Sequence, residues 1–141
     1  MKPTLKPGLT HTHRFTVTDA KTVPNLYPEA GSFREMPRVF ATGYMVGLLE
    51  WACIELLRAH LDPGEGSVGI HVDVSHTAAT PAGLTVTVDA KVEAVAGRRV
   101  DFSVVLSDEI EEIGRGRHRR AVVRWDTFNA RVADKAAKAK R

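Results

Sequence analysis

The spacing of apolar residues takes the helical period over one long stretch of the chain. From 39 to 60, VFATGYMVGLLEWACIELLRAH, apolar side chains between Val39 and Ile54 fall on nearly every side of a helical wheel. That predicts one helix, buried almost all round. Pro37 precedes it and Pro63-Gly64 follows it, the usual helix punctuation. Gly43 and Gly47, four residues apart, lower helix propensity and leave room for another backbone on one face. Downstream the period becomes two. The stretches 67–76 (SVGIHVDVSH), 84–95 (LTVTVDAKVEAV), 99–107 and 118–126 (HRRAVVRWD) alternate and are rich in Val, as strands are. Pro81-Ala82-Gly83 and Gly97-Arg98 mark turns between them. Upstream, HRFTVT at 13–18 predicts a short strand. At the other end, TFNARVADKAAK at 127–138 predicts a short terminal helix.

The order is a short strand, a loop, one helix and four strands joined largely by hairpins. Hairpin-joined strands make an antiparallel sheet. The 39–60 helix is the available cover for one face of that sheet. The expected fold is therefore α+β: an antiparallel sheet wrapped around one long central helix, the hotdog architecture. Its open edges point to a homodimer. Between the first strand and the helix, residues 19–38 carry Pro24, Pro28, Gly31 and Pro37, with Lys21 and Tyr27 as larger anchors. An irregular loop that long is expected to have a task, such as covering a site.

Length and composition narrow the classes. The 141 residues suit a single domain over 1–141, and 43% hydrophobic with 26% charged residues excludes general disorder. Residues 1–12 are Pro- and Gly-punctuated and read as loose. The formal charge is +3, but Arg131, Lys135, Lys138, Lys140 and Arg141 against Asp134 put +4 into 131–141, leaving −1 for the rest. A frayed, solvated basic tail is the expectation, and with aromatics at 6% no nucleic-acid partner is expected. One cysteine excludes an internal disulfide or a Cys-rich zinc site and points to a reducing, cytoplasmic setting. No apolar run reaches the ~18 residues of a membrane span, and MKPTLKPGLTHTHRF lacks the apolar core of a secretory signal. No membrane partner is expected.

Candidate chemistry concentrates on few residues. Glu50 is the one ordinarily charged side chain between Val39 and Ile54. It either marks the helix's wet edge or sits in an apolar site, where a carboxylate becomes a candidate base or nucleophile. His76, in SHTAATP, can move a proton near neutral pH or simply satisfy a strand end. His71 lies five residues earlier, on the opposite face. Thr42 reads either as an early-helix cap or as a hydroxyl offered to a reacting group. Eight residues separate it from Glu50, about 12 Å of helix rise, so direct contact requires the helix to begin after Thr42. Cys53 reads as core. His11 and His13 form a weak pair, and no metal-ligand spacing links any two histidines. No nucleophile elbow, P-loop or dinucleotide fingerprint is present.

VFATGYMVGLLEWAC (39–53) and SHTAATPAGLTVTV (75–88), with KTV and LYPE (21–29), DPGEG (62–66), GRR (97–99), EIG (112–114), RAV (120–122) and FNA (128–130), closely resemble the fluoroacetyl-CoA thioesterase family of hotdog enzymes. The resemblance implies hydrolysis of a short acyl-CoA to the acid and free CoA, with no cofactor beyond the CoA of the substrate. It places the catalytic threonine, glutamate and histidine on Thr42, Glu50 and His76, and turns Gly69 and Arg120 toward the acyl group. One position departs. The fluoroacetate-selective member has an aromatic lid residue where this chain has Met36, with Phe33 and Phe40 close by in sequence. Fluorine selectivity therefore does not carry over with the reaction. Glu50 would attack the thioester to give an anhydride or activate a water, with a backbone N–H near Gly69 for the oxyanion, a donor worth ~3 kcal/mol. Arg98, Arg99, Arg119 and Lys21 are equal candidates for the CoA phosphates. Two other readings keep the fold: an acyl-CoA binding protein without turnover, and an enoyl-CoA hydratase. The hydratases pair an Asp with a His at the helix start, and 40–44 supplies neither.

Overall fold

The computed structural model describes residues 1–140. Five strands alternate with short connections and three helices: β1 (Thr10–Thr16), α1 (Gly31–Arg34), α2 (Thr42–Arg58), β2 (Glu65–Val74), β3 (Thr85–Ala96), β4 (Arg99–Ser107), β5 (Glu112–Arg124) and α3 (Trp125–Ala139). All pairings are antiparallel, in the order β1-β3-β4-β5-β2. The expected hotdog arrangement is present. Only β3–β4 and β4–β5 are sequence-adjacent neighbours, however. β2 does not form a hairpin with β3; it crosses to the far edge, beside β5.

The core follows from the two periodicities. In β4 every even position from Val100 to Leu106 is buried, and in β3 Val86, Val88, Ala90 and Val92 face the same way. Against them α2 sets Met45, Leu48, Leu49, Ala52, Cys53, Leu56 and Leu57. Each Val, Leu, Phe or Met among them contributes about 1.5–3 kcal/mol on full burial. Register shifts at Val92/Ala94, Leu106/Ser107 and Gly69/His71 bend the strands as bulges do, and so help the sheet curl round the helix. Gly97, at φ 62°, makes the left-handed corner of the β3–β4 hairpin.

Several expectations are corrected. The helix is not buried all round: Gly43, Gly47, Trp51, Ile54 and Arg58 form an exposed stripe. One chain has a sheet for only one side of α2. The first twelve residues are not loose. The Met1 ammonium binds Asp62 and Glu65, the Lys2 amide bonds the His60 carbonyl, Leu5 is buried, and β1 begins at Thr10. The basic end is helical, not frayed, as far as Ala139, although none of α3 is buried; Arg141 lies outside the described residues. β5 starts at Glu112, six residues before the expected 118, because Gly114 and Gly116 hide the alternation. Those glycines are required there: a Cβ would stand 2.2 Å from the Ser75 carbonyl oxygen and 2.0 Å from that of Asp73. His76 therefore lies two residues beyond the end of its strand, in the loop.

Candidate active site

Two clusters of polar side chains lie along α2. The first is at its N-terminus. Thr42 is the first helical residue, and the preceding Ala41 makes no side-chain cap. The Thr42 hydroxyl is not used as a cap either; it lies 2.7 Å from His76 Nδ1. The pair faces a cleft of about 230 Å³ lined also by Val23, Val39, Phe40 and Ala78. His76 Nε2 is buried with no hydrogen-bond partner. Burial lowers the His76 pKa below its ordinary value, with the Ala78 backbone partly offsetting it. The imidazole is thus kept neutral, with one nitrogen tied to a hydroxyl and the other uncommitted.

The second cluster lies two turns further along. Glu50 Oε2 accepts a hydrogen bond of 2.9 Å from Arg120 Nη1, and that guanidinium side chain is only 4% exposed. The remaining arms of Arg120 hold β2: Nε donates to Ser67 Oγ at 2.8 Å and Nη2 to the Ser67 carbonyl at 3.0 Å. Nη1 also lies 3.0 Å from His118 Nε2. Arginine is only a donor, so that nitrogen must accept. His118 is then neutral and carries its proton on Nδ1, which donates to the His71 carbonyl at 2.8 Å. Burial is the main cause of its lowered pKa. Glu50 is 37% exposed, with His118 Nε2 4.0 Å from the same oxygen. Neither simple sequence alternative fits: the carboxylate is half-exposed, yet seated on a buried cation.

Gly69 explains how that seat is possible. A Cβ there would come within 2.6 Å of Glu50 Oε2 and 3.3 Å of Arg120 Nη1. Only a bare Cα leaves the carboxylate its place. The next residue, Ile70, is the bulged one, skipped between the Gly69–Arg120 and His71–Arg119 register pairs.

Glu50, Gly69 and Arg120 are therefore brought together, as are Thr42 and His76. The two groups do not converge within one chain. The helix begins at Thr42, not after it, so the rise of about 12 Å to Glu50 stands. Phe33 stacks on Tyr27 at 5.8 Å within the 19–38 segment, and Met36 beyond α1 is about half-exposed. His118 and Ser67 were not expected at the site. The signal for His118 was its parity with Arg120 and Val122 on one strand, obscured by the run of arginines around it. Cys53 is fully buried, its thiol pushed up to about 12 by burial, and it belongs to the core. Of the proposed phosphate contacts, Arg99 and Arg119 both reach Asp101, and Lys21 lies over the Tyr44 ring. Among the described residues, no group of three or more His, Cys, Asp or Glu side chains is arranged to hold a metal.

Residues 17–126 match the family model described as fluoroacetyl-CoA-specific thioesterase. The fluoroacetyl-CoA thioesterase of Streptantibioticus cattleyicolor is 52% identical over 135 residues, 96% of this chain and 97% of that protein. The solved structure of the fluoroacetyl-CoA thioesterase FlK superposes with a TM-score of 0.91 at 52% identity, covering 93% of this chain and 97% of that one. A thioesterase superfamily member from Thermus thermophilus, 27% identical, gives 0.88 over 99% and 98% of the two chains. With a family match spanning most of the fold and a relative this similar from end to end, the chain belongs to the fluoroacetyl-CoA-specific thioesterase family.

Proposed function

We propose that this protein hydrolyses short acyl-CoA thioesters to the free acid and CoA. The observation that carries the reading is the seat of Glu50: a carboxylate held on a buried guanidinium, with its approach kept open by Gly69. A nucleophile or base must be held in place and accessible at once, and this arrangement supplies both conditions. Glu50 either adds to the thioester carbonyl, expelling CoA thiolate and leaving an acyl–glutamyl anhydride for water to cleave, or takes a proton from the water that adds. In either route a proton must reach the departing sulfur. His76, neutral and tied to the Thr42 hydroxyl, is suited to relay it through Nε2. Arg120, Gly69 and the bulge at Ile70 border the acyl group. The reaction needs no cofactor beyond the CoA of the substrate.

The two clusters become one site in a homodimer. On the unpaired edge of β2, Ile70 and Val72 are exposed, and the open stripe of α2 adds Trp51 and Ile54. An apolar edge strand beside an apolar helix face is the kind of surface that a second copy covers. Paired through β2, the Glu50 cluster of one protomer faces the Thr42–His76 cluster of its partner. The acyl group is small, and Met36 in place of an aromatic lid residue argues for weaker fluorine selection. The single buried thiol suits a reducing, cytoplasmic setting.

The test is thiol release from acetyl-, fluoroacetyl- and longer acyl-CoAs. Glu50→Gln should lower kcat/KM by about a thousandfold or more while the protein keeps its circular dichroism spectrum. Unchanged turnover in that variant removes Glu50 from the chemistry. Stoichiometric acyl-CoA binding by the unaltered protein, with no thiol released, makes it a binding protein instead.

A further inference from the structure

Three polar groups converge on the bare Cα of Gly69. A Cβ there would stand 2.6 Å from Glu50 Oε2, 3.3 Å from Arg120 Nη1 and 3.2 Å from His118 Cε1. The first two are the carboxylate and its guanidinium seat. The third is a neutral ring whose side chain is only 2% exposed. β5 sets it beside Val72 of β2 and Phe102 of β4, its register partners. The ring stacks on Phe102 with centroids 6.4 Å apart. Its Nδ1 hydrogen is committed to the His71 carbonyl at 2.8 Å. A buried ring held at one nitrogen and along one face has a fixed direction, and that direction presents Nε2 to Arg120.

The direction matters because of how Arg120 Nη1 is used. This nitrogen carries two hydrogens, about 120° apart in the rigid guanidinium plane. One goes to Glu50 Oε2 at 2.9 Å and the other to His118 Nε2 at 3.0 Å. Ser67 holds the rest of the fork through Nε and Nη2. Tying one Nη1 hydrogen to the imidazole therefore sets the bearing of the other, and with it the carboxylate. Protonating the ring reverses the arrangement. Nε2–H would then face N–H, cation against cation, and the acceptor within reach would be Glu50 Oε2, 4.0 Å away. That oxygen would be drawn off the guanidinium and down toward the sheet.

Resting on the thioesterase reading, we propose that His118 is a positioning residue for the reaction: its unprotonated Nε2 aims Glu50 through Arg120, and a proton on that nitrogen withdraws the carboxylate from the acyl group. His118 acts through the guanidinium and not on the thioester. The groups around the ring decide when the proton arrives. Burial resists it most, and the charges on Arg120 and His71 resist it too, while the His71 carbonyl and Glu50 favour it. Beyond these, Asp73 on β2, Asp101 on β4, and Arg117 and Arg119 on β5 line one hollow with the ring. Activity in acid is therefore lost through the support of Glu50, in addition to any proton taken up by His76.

Two substitutions separate aiming from packing. His118→Asn keeps a donor at the Nδ1 position for the His71 carbonyl but offers Arg120 no acceptor. His118→Gln places an amide oxygen at the Nε2 position and gives up the bond to His71. With acetyl-CoA, His118→Asn should lower kcat/KM by about tenfold to a hundredfold, the weight of one hydrogen bond to a charged group, with the loss in kcat rather than KM. His118→Gln should recover most of that loss, and its kcat/KM should fall in acid with one proton fewer than in the unaltered protein. Activity in His118→Asn equal to or above that in His118→Gln, or an acid limb equally steep in His118→Gln, would each overturn the proposal. The imidazole Cε1–H resonance of His118, identified by its loss in His118→Gln, reads the same event without turnover. Its titration midpoint should move to lower pH in Glu50→Gln, which removes the carboxylate beside it. A midpoint that stays in place while the unaltered protein releases thiol overturns the proposal and leaves the hydrolytic reading standing. A midpoint that moves in a protein that releases no thiol removes hydrolysis and leaves the Glu50–Arg120–His118 linkage.

Discussion

Arg120 uses all three of its nitrogens inside the protein: one arm on Glu50 and His118, the other two positions on Ser67. A charged group buried to this degree persists only with such partners. His118 acts as the neutral acceptor in that set, so protonating it would set a cation against a cation. His76 and His118 both have pKa values lowered by burial from the ordinary 6.5. The sign follows: the unfolded chain takes up these protons first, so stability is full above pH 6.5 and declines as pH falls through it toward the lowered folded values. Melting temperature should therefore drop between pH 7.5 and 5.5. His118→Gln, which keeps an acceptor for Arg120, should be less stable at pH 7.5 by about 1–3 kcal/mol, for the orphaned His71 carbonyl and lost packing, and its melting temperature should drop less with pH. An undiminished pH dependence in that variant would take His118 out of the account. At this scale sequence shows Glu50 as an anomaly of charge and leaves Thr42 and His76 each with two readings, between which only the resemblance chooses. Arg120 and Gly69 came from resemblance too, without a reason. The reason is contact across strands, which no local spacing reports.

At the scale of elements, strong periodicity was legible and exceptions to it were not. β4 matches the expected 99–107 at both ends, because every second residue is a large apolar side chain closing on α2. β5 begins six residues before its alternation becomes visible at 118. Gly114 and Gly116 looked like loop, but they are strand residues stripped of side chains so that the end of β2 can lie against them. Gly116→Ala should cost about 1–3 kcal/mol, as overpacked sites do, because the atom in the way is a main-chain carbonyl that cannot swing aside. A thermal melt checks this, and unchanged stability would mean that the β2 end yields. The edge position of β2 was likewise invisible. Alternation shows that a stretch is a strand but not which strand sits beside it.

The whole molecule places its two polar clusters on one helix and too far apart to meet. If two protomers complete each other's site, inactive variants must complement. Glu50→Gln and His76→Ala homodimers should each be nearly inactive. After unfolding together and refolding as a mixture, they should recover about a quarter of normal activity, since half of the dimers then carry one intact site of two. Recovery of none would place the three residues within a single chain. Arg120 carries a consequence for this assembly. The guanidinium that aims the carboxylate also fastens the strand proposed to join the protomers. Turnover and subunit association are thereby wired to one side chain, and at high dilution specific activity becomes a gauge of how many chains have found a mate.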